Sequence, residues 1–124
     1  MKVYHQFKIA AIAVLVLGII HICATPIVLK LFGVLNFRSL LTFGYMFVMV
    51  GIATIFLGWT QIFTLKHISN HPKFLIILKA TIIVISISGV GAVVTMWNNP
   101  FAYLILLIAL YEVYLLRKMH ENPA

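Results

Sequence analysis

The stretch "WNNPF", Trp97 to Phe101, decides how many helices this chain has. It interrupts the uncharged run from Ala80 to Tyr111. Two asparagines and a proline make a turn, with Asn99 placed to cap a helix and Pro100 at its first position, where a missing N–H costs nothing. The run is therefore the end of one helix and the start of another. Upstream, Ile9 to Leu29 is uncharged between Lys8 and Lys30, and Ser39 to Leu65 between Arg38 and Lys66. Each is long enough to span a bilayer, which takes about 20 residues. Gly33 can end the first helix. The connection "KHISNHPK", Lys66 to Lys73, carries similar punctuation, with Pro72 near a helix start. The predicted fold is all-α, an integral membrane four-helix bundle with short connections. It forms one transmembrane domain over residues 1–124, with helices over 8–32, 39–65, 72–97 and 100–119.

Composition points the same way. Of 124 residues, 64% are hydrophobic and 9% charged, against about 25% charged in a soluble domain. The bilayer is the expected surroundings. The net charge of +7 comes from nine basic residues and two acidic ones, Glu112 and Glu121. The basic residues lie between apolar runs rather than on one helix face, so they read as topology signals and lipid-headgroup contacts, not as a nucleic-acid surface. Lys2, Lys8, Lys66, Lys73, Lys79, Arg117 and Lys118 fall on one side and Lys30 and Arg38 on the other. By the positive-inside rule both termini are expected in the cytoplasm, in a bacterial inner membrane. The first segment starts like a secretory signal, but its apolar residues run on to Leu29, and Ile22 is too large for the −3 position of a cleavage after Ala24. It is expected to stay as a helix. Cys23 is the only cysteine, so no intrachain disulfide forms, and it reads as a small buried hydrophobe.

Small residues supply the packing signal. Gly44, Gly51 and Gly58 recur every seven residues and form one stripe. Ser86, Ser88, Gly89, Gly91 and Ala92 form a patch on the third helix. Such residues let helix backbones approach closely in membranes. They predict helix packing, with a groove for a lipid or flat cofactor as the other use.

The chemistry concentrates in "LGIIHICATPIV", Leu17 to Val28. Gly18, His21 and Thr25 share one face beside Pro26, which removes a helix hydrogen bond and predicts a kink. His21 lies twelve residues after Ile9, roughly 18 Å into a hydrocarbon layer about 30 Å thick. Glu112 lies eleven residues after Phe101, roughly 16 Å in from the other boundary. The two deepest ionisable groups thus fall at similar depth, on helices that neighbour each other in an antiparallel bundle. A carboxylate in lipid needs an interior partner, and His21 or Lys79 can serve. The imidazole is expected to face protein and to be uncharged, since a midplane cation in lipid costs on the order of 2.5 kcal/mol or more. Gly18, His21, Thr25 and Glu112 form the candidate ligand or proton site. The notch at His21 can take haem on a single histidine, with a second copy supplying another ligand. A metal site is not expected: His67 and His71 are four apart, but no third ligand is near.

No triad, phosphate loop, nucleotide fingerprint or carboxylate pair is present, so enzymatic activity is not expected. Three functions remain in view. The first is a non-enzymatic protein that packs with itself, as a homo-oligomer, or as an accessory subunit of a larger membrane complex. The second is a module holding haem or another hydrophobic ligand at His21. The third is a dimeric proton-coupled transporter using His21 and Glu112. In size and four-helix topology the chain is similar to the small multidrug resistance transporters, a resemblance of architecture that implies transport by a dimer. Those proteins carry an essential glutamate in the first helix and this sequence has none there, so no residue is carried over. A transport path also needs polar lining, and only Thr54, Thr60, Gln61, Thr81, Ser86 and Ser88 offer it.

Overall fold

In the computed structural model, which describes residues 2–31 and 36–121, α1 runs over Lys2–Leu31, α2 over Phe37–His67, α3 over Phe74–Thr95 and α4 over Pro100–Glu121. All four are long and apolar enough to cross a membrane. α1 packs along α2 and α3 along α4, and contacts of α2 with α3 and of α1 with α4 close the ring.

Three helix starts move from their expected positions, the first through tertiary packing and the other two through local capping and turn geometry. α1 begins at Lys2 rather than Lys8, because Phe7 is fully buried in a cluster with Ala10, Ile68, Leu78, Ile82 and Leu115. Tertiary packing thus extends the helix beyond its uncharged run. α2 begins at Phe37, where the Asn36 side chain accepts a hydrogen bond from the Ser39 N–H at 2.9 Å. The cap satisfies one orphan donor of the first turn. α3 begins at Phe74, two residues past Pro72. The N–H groups of Asn70 and His71 both return to the His67 carbonyl, so Pro72 lies in the turn. At the other connection Pro100 opens α4 and Asn99 Oδ1 accepts from the Phe101 N–H at 3.0 Å. Gly33, the expected end of the first helix, lies outside the described residues.

The burial pattern of α2 is inverted relative to a soluble helix. Its buried residues are Gly44, Gly51, Gly58, Gln61 and Thr64, while Leu41, Tyr45, Phe56, Trp59 and Phe63 face outward. A helix in water would lose apolar burial by this arrangement, whereas in lipid it places small and polar groups at the protein interface. The three glycines face α1. A methyl group at Gly58 would lie 2.7 Å from the Leu15 nitrogen and 2.9 Å from the Ala11 carbonyl oxygen. One at Gly51 would lie 3.1 Å from the Gly18 carbonyl oxygen, and one at Gly44 3.1 Å from Leu29 Cδ1. In α3, Gly89 meets the backbone of Leu106 on α4. Ser88 is exposed and Ala92 half-buried, so the expected patch divides between protein and surroundings.

The hairpins differ in length. α1 and α2 have 30 and 31 residues, about 45 Å each, whereas α3 and α4 have 22 each, about 33 Å. Phe7 shares a cluster with Leu115, and Val14 shares one with Ile85 and Ala109. This antiparallel register puts the start of α4 near residue 22 of α1. The remaining turns of α1, and the first turns of α2 beside them, extend past the Trp97–Pro100 turn by about 14 Å. The molecule thus has a four-helix section near its termini and a two-helix section distal to them.

Candidate functional site

Two places carry the chemistry, and they are apart. The first is His21. Its ring stacks on Phe47 of α2, with centroids 3.7 Å apart and planes inclined by 18°. It therefore faces protein. The side chain is half-buried, and its Nε2 is buried without a hydrogen-bond partner. Thr25 does not bond the ring: its hydroxyl donates to the His21 carbonyl at 3.3 Å, as a helical threonine commonly does. α1 continues through Pro26 to Leu31 as one helix.

The notch beside His21 is filled by α2. A methyl group at Gly18 would lie 2.7 Å from the Ile55 nitrogen and 2.8 Å from the Gly51 carbonyl oxygen. Gly18 is thus needed for backbone contact rather than for a ligand. A haem ligand must present a ring nitrogen to open space above a flat macrocycle. His21 instead has Phe47 across its face and a covered Nε2. The residues do not fit haem in this arrangement.

The second place is Glu112. It is fully buried, and its partner is neither His21 nor Lys79. Gln61 Nε2 donates to Glu112 Oε2 at 3.0 Å across α2 and α4. Phe47 and Gln61, which mark the two places on α2, are fourteen residues apart, about 21 Å along the helix. The estimate of equal depth fails because it counts each helix from its first apolar residue. α1 and α4 differ in length, so equal counts from their ends do not give equal height. Gln61 carries the signal that sequence reasoning missed. It lies one turn after Gly58, on the stripe that faces inward, and is the only amide side chain between Arg38 and Lys66.

Glu112 occupies a polar layer between two apolar ones. On α4 it falls between Ala109 and Leu115, which belong to the two separate core clusters. Gln61 and Thr64 fall between Leu57 and Ile68 on α2 in the same way. Glu112, Gln61 and Thr64 are all 0% exposed. Glu112 Oε1, Gln61 Oε1 and Thr64 Oγ1 each lack a hydrogen-bond partner.

The remaining candidates are elsewhere. Cys23 is exposed, not buried: it lies two residues past His21 and so points away from α2. His67 Nδ1 lies 2.8 Å from the Phe63 carbonyl oxygen, with its ring near Phe63 and Phe74. No group of three or more potential metal-binding His, Cys, Asp or Glu side chains occurs among the described residues. An open apolar groove of about 380 Å³ lies on the distal section, lined by Thr25, Leu29, Leu40, Leu41, Gly44, Tyr45 and Val48.

No protein-family model matches this chain, and neither curated proteins nor solved structures give a match.

Proposed function

We propose that this chain is a small non-enzymatic integral membrane protein that works by packing with a second copy of itself through the distal section of α1 and α2. Within a larger membrane complex the same surface seats it as an accessory subunit. The balance of basic residues favours both termini in the cytoplasm, in a bacterial inner membrane, with the distal section on the opposite side.

The supporting observation is the unequal height of the two hairpins. α3 and α4 are about 33 Å long, close to the hydrocarbon thickness of about 30 Å. The apolar run of α2 from Leu40 to Leu65 is about 39 Å long. Its excess is apolar, and neither α3 nor α4 covers it. Phe37 is 74% and Tyr45 67% exposed there. A hydrophobic stretch longer than the bilayer is relieved by tilting or by covering it with protein. The open apolar groove that Leu40, Leu41, Tyr45 and Val48 line on this section offers a surface for the second course.

Crosslinking in native membranes followed by size analysis tests the reading. A species of twice the chain mass is expected. A strictly monomeric chain at all crosslinker doses contradicts it.

A further inference from the structure

We propose that the buried layer of Glu112, Gln61 and Thr64 is a proton-binding site, with Glu112 as the group that takes up and releases the proton. This is independent of the packing surface proposed above, which lies in the distal section.

The argument starts from hydrogen-bond supply. A carboxylate is acceptor-only, with about four lone-pair sites. In this layer it receives one hydrogen bond, from Gln61 Nε2, and its Oε1 receives none. Gln61 Oε1, a second acceptor, is also without a partner, and the Thr64 hydroxyl, which can donate or accept, makes no bond. The two carboxylate oxygens are therefore under-supplied with donors as the layer stands. One added proton on Glu112 supplies an O–H donor and removes the charge.

Thr64 gives a second, independent sign. The chain has seven threonines. Thr25, Thr42, Thr54, Thr60, Thr81 and Thr95 each donate their hydroxyl to a carbonyl three or four residues back in their own helix. Thr64 alone makes no such bond, although it is fully buried and one turn from Gln61. Its hydroxyl is left available to the layer.

The surroundings exclude bulk solvation of a charge. Phe7, Leu78, Ile82 and Leu115 pack on one side and Val14, Ile85 and Ala109 on the other. An isolated carboxylate in such a place is costly unless it is paired or neutralised. The basic groups toward this end of the bundle are Lys2 and Lys8 on α1, Lys66 on α2, Lys73 just before α3, Lys79 on α3, and Arg117 and Lys118 on α4 itself, with His5 on α1 and His67 at the end of α2. Lys8 and Lys66 are exposed and Lys79 half-buried, and the hydrogen bond to Glu112 comes from Gln61 instead. α1 presents small Ala10 and Ala11 near this height. A proton fills the need without the room or dehydration that a metal cation requires. The step forms and breaks one O–H bond: the carboxylate takes a proton from water to become the neutral acid, and returns it to water on release.

Dicyclohexylcarbodiimide tests this, because it enters membranes and adds to a carboxyl only after taking that group's proton. The full chain is reconstituted in phosphatidylcholine vesicles, labelled across a pH series and mapped by mass spectrometry. The expected result is an adduct on Glu112, absent in Glu112→Gln. Above the midpoint, labelling falls about tenfold for each pH unit, as the protonated fraction does. The infrared spectrum is expected to hold a protonated-carboxyl C=O band that shifts in heavy water and is lost in the same variant. If Glu112→Gln does not accumulate, Glu112→Asp takes its place and the band must move. No adduct on Glu112 at any pH, or labelling that ignores pH, overturns the proposal. Protection by sodium ions at constant pH also overturns it, in favour of a metal-cation site.

Discussion

Gln61 and Glu112, 51 positions apart in sequence, meet through one hydrogen bond of 3.0 Å in the interior of the bundle. It is a buried side-chain-to-side-chain hydrogen bond between two helices. It joins α2 to α4, which lie diagonally in the ring and make no direct backbone approach. The bond therefore ties the α1–α2 hairpin to the α3–α4 hairpin across the centre.

Removing one partner is expected to cost more than removing both. Gln61→Leu leaves the Glu112 carboxyl without any hydrogen bond, and should destabilise the bundle by about 1–3 kcal/mol, the usual penalty for a stranded buried polar group. Gln61→Leu combined with Glu112→Leu should recover most of that loss. Thermal unfolding in detergent of the two single variants and the double variant gives the coupling energy. Additive losses would show that the pair does not act as a unit.

The α1–α2 seam should be intolerant of a single methyl group. Gly18→Ala places a carbon 2.7 Å from one backbone atom and 2.8 Å from another. Neither can swing aside as a side chain can. The helices must separate, at a cost of roughly 1–3 kcal/mol for overpacking. Gly91→Ala is the control, since a methyl there meets nothing within 4 Å. Unfolding temperatures should fall for the first and stay unchanged for the second.

Haem should not bind at His21 while Phe47 is present. Titrating purified protein with haem is expected to give no Soret band that depends on His21. Phe47→Ala uncovers the ring face and is the variant in which a His21-dependent band can arise. A His21-dependent band in the unmodified protein would mean that the stacked arrangement opens readily.

Most of the fold was legible because its signals are local. Runs between charges gave the four helices, and "WNNP" gave the turn between α3 and α4 through an asparagine cap and a first-turn proline. The inward stripe of Gly44, Gly51 and Gly58 was legible as spacing. The start of α1 was not, because Phe7 is held by Leu78 and Leu115, far away in sequence. The pairing of Glu112 was not legible for a related reason. Depth counted along each helix assumes helices of equal length crossing one slab, and unequal hairpins break that assumption. The stack of His21 on Phe47 needs the α1–α2 register, which the glycine stripe restricts to a face but does not fix along the axis.

The most direct test of the packing account is site-specific disulfide formation in native membranes, in a Cys23→Ser background. Tyr45→Cys puts a thiol on the exposed distal section, and Leu107→Cys puts one on the exposed face of α4. On mild oxidation, Tyr45→Cys is predicted to give a disulfide-linked dimer while Leu107→Cys stays monomeric. Tyr45→Cys remaining monomeric, alongside Leu107→Cys, would contradict the account.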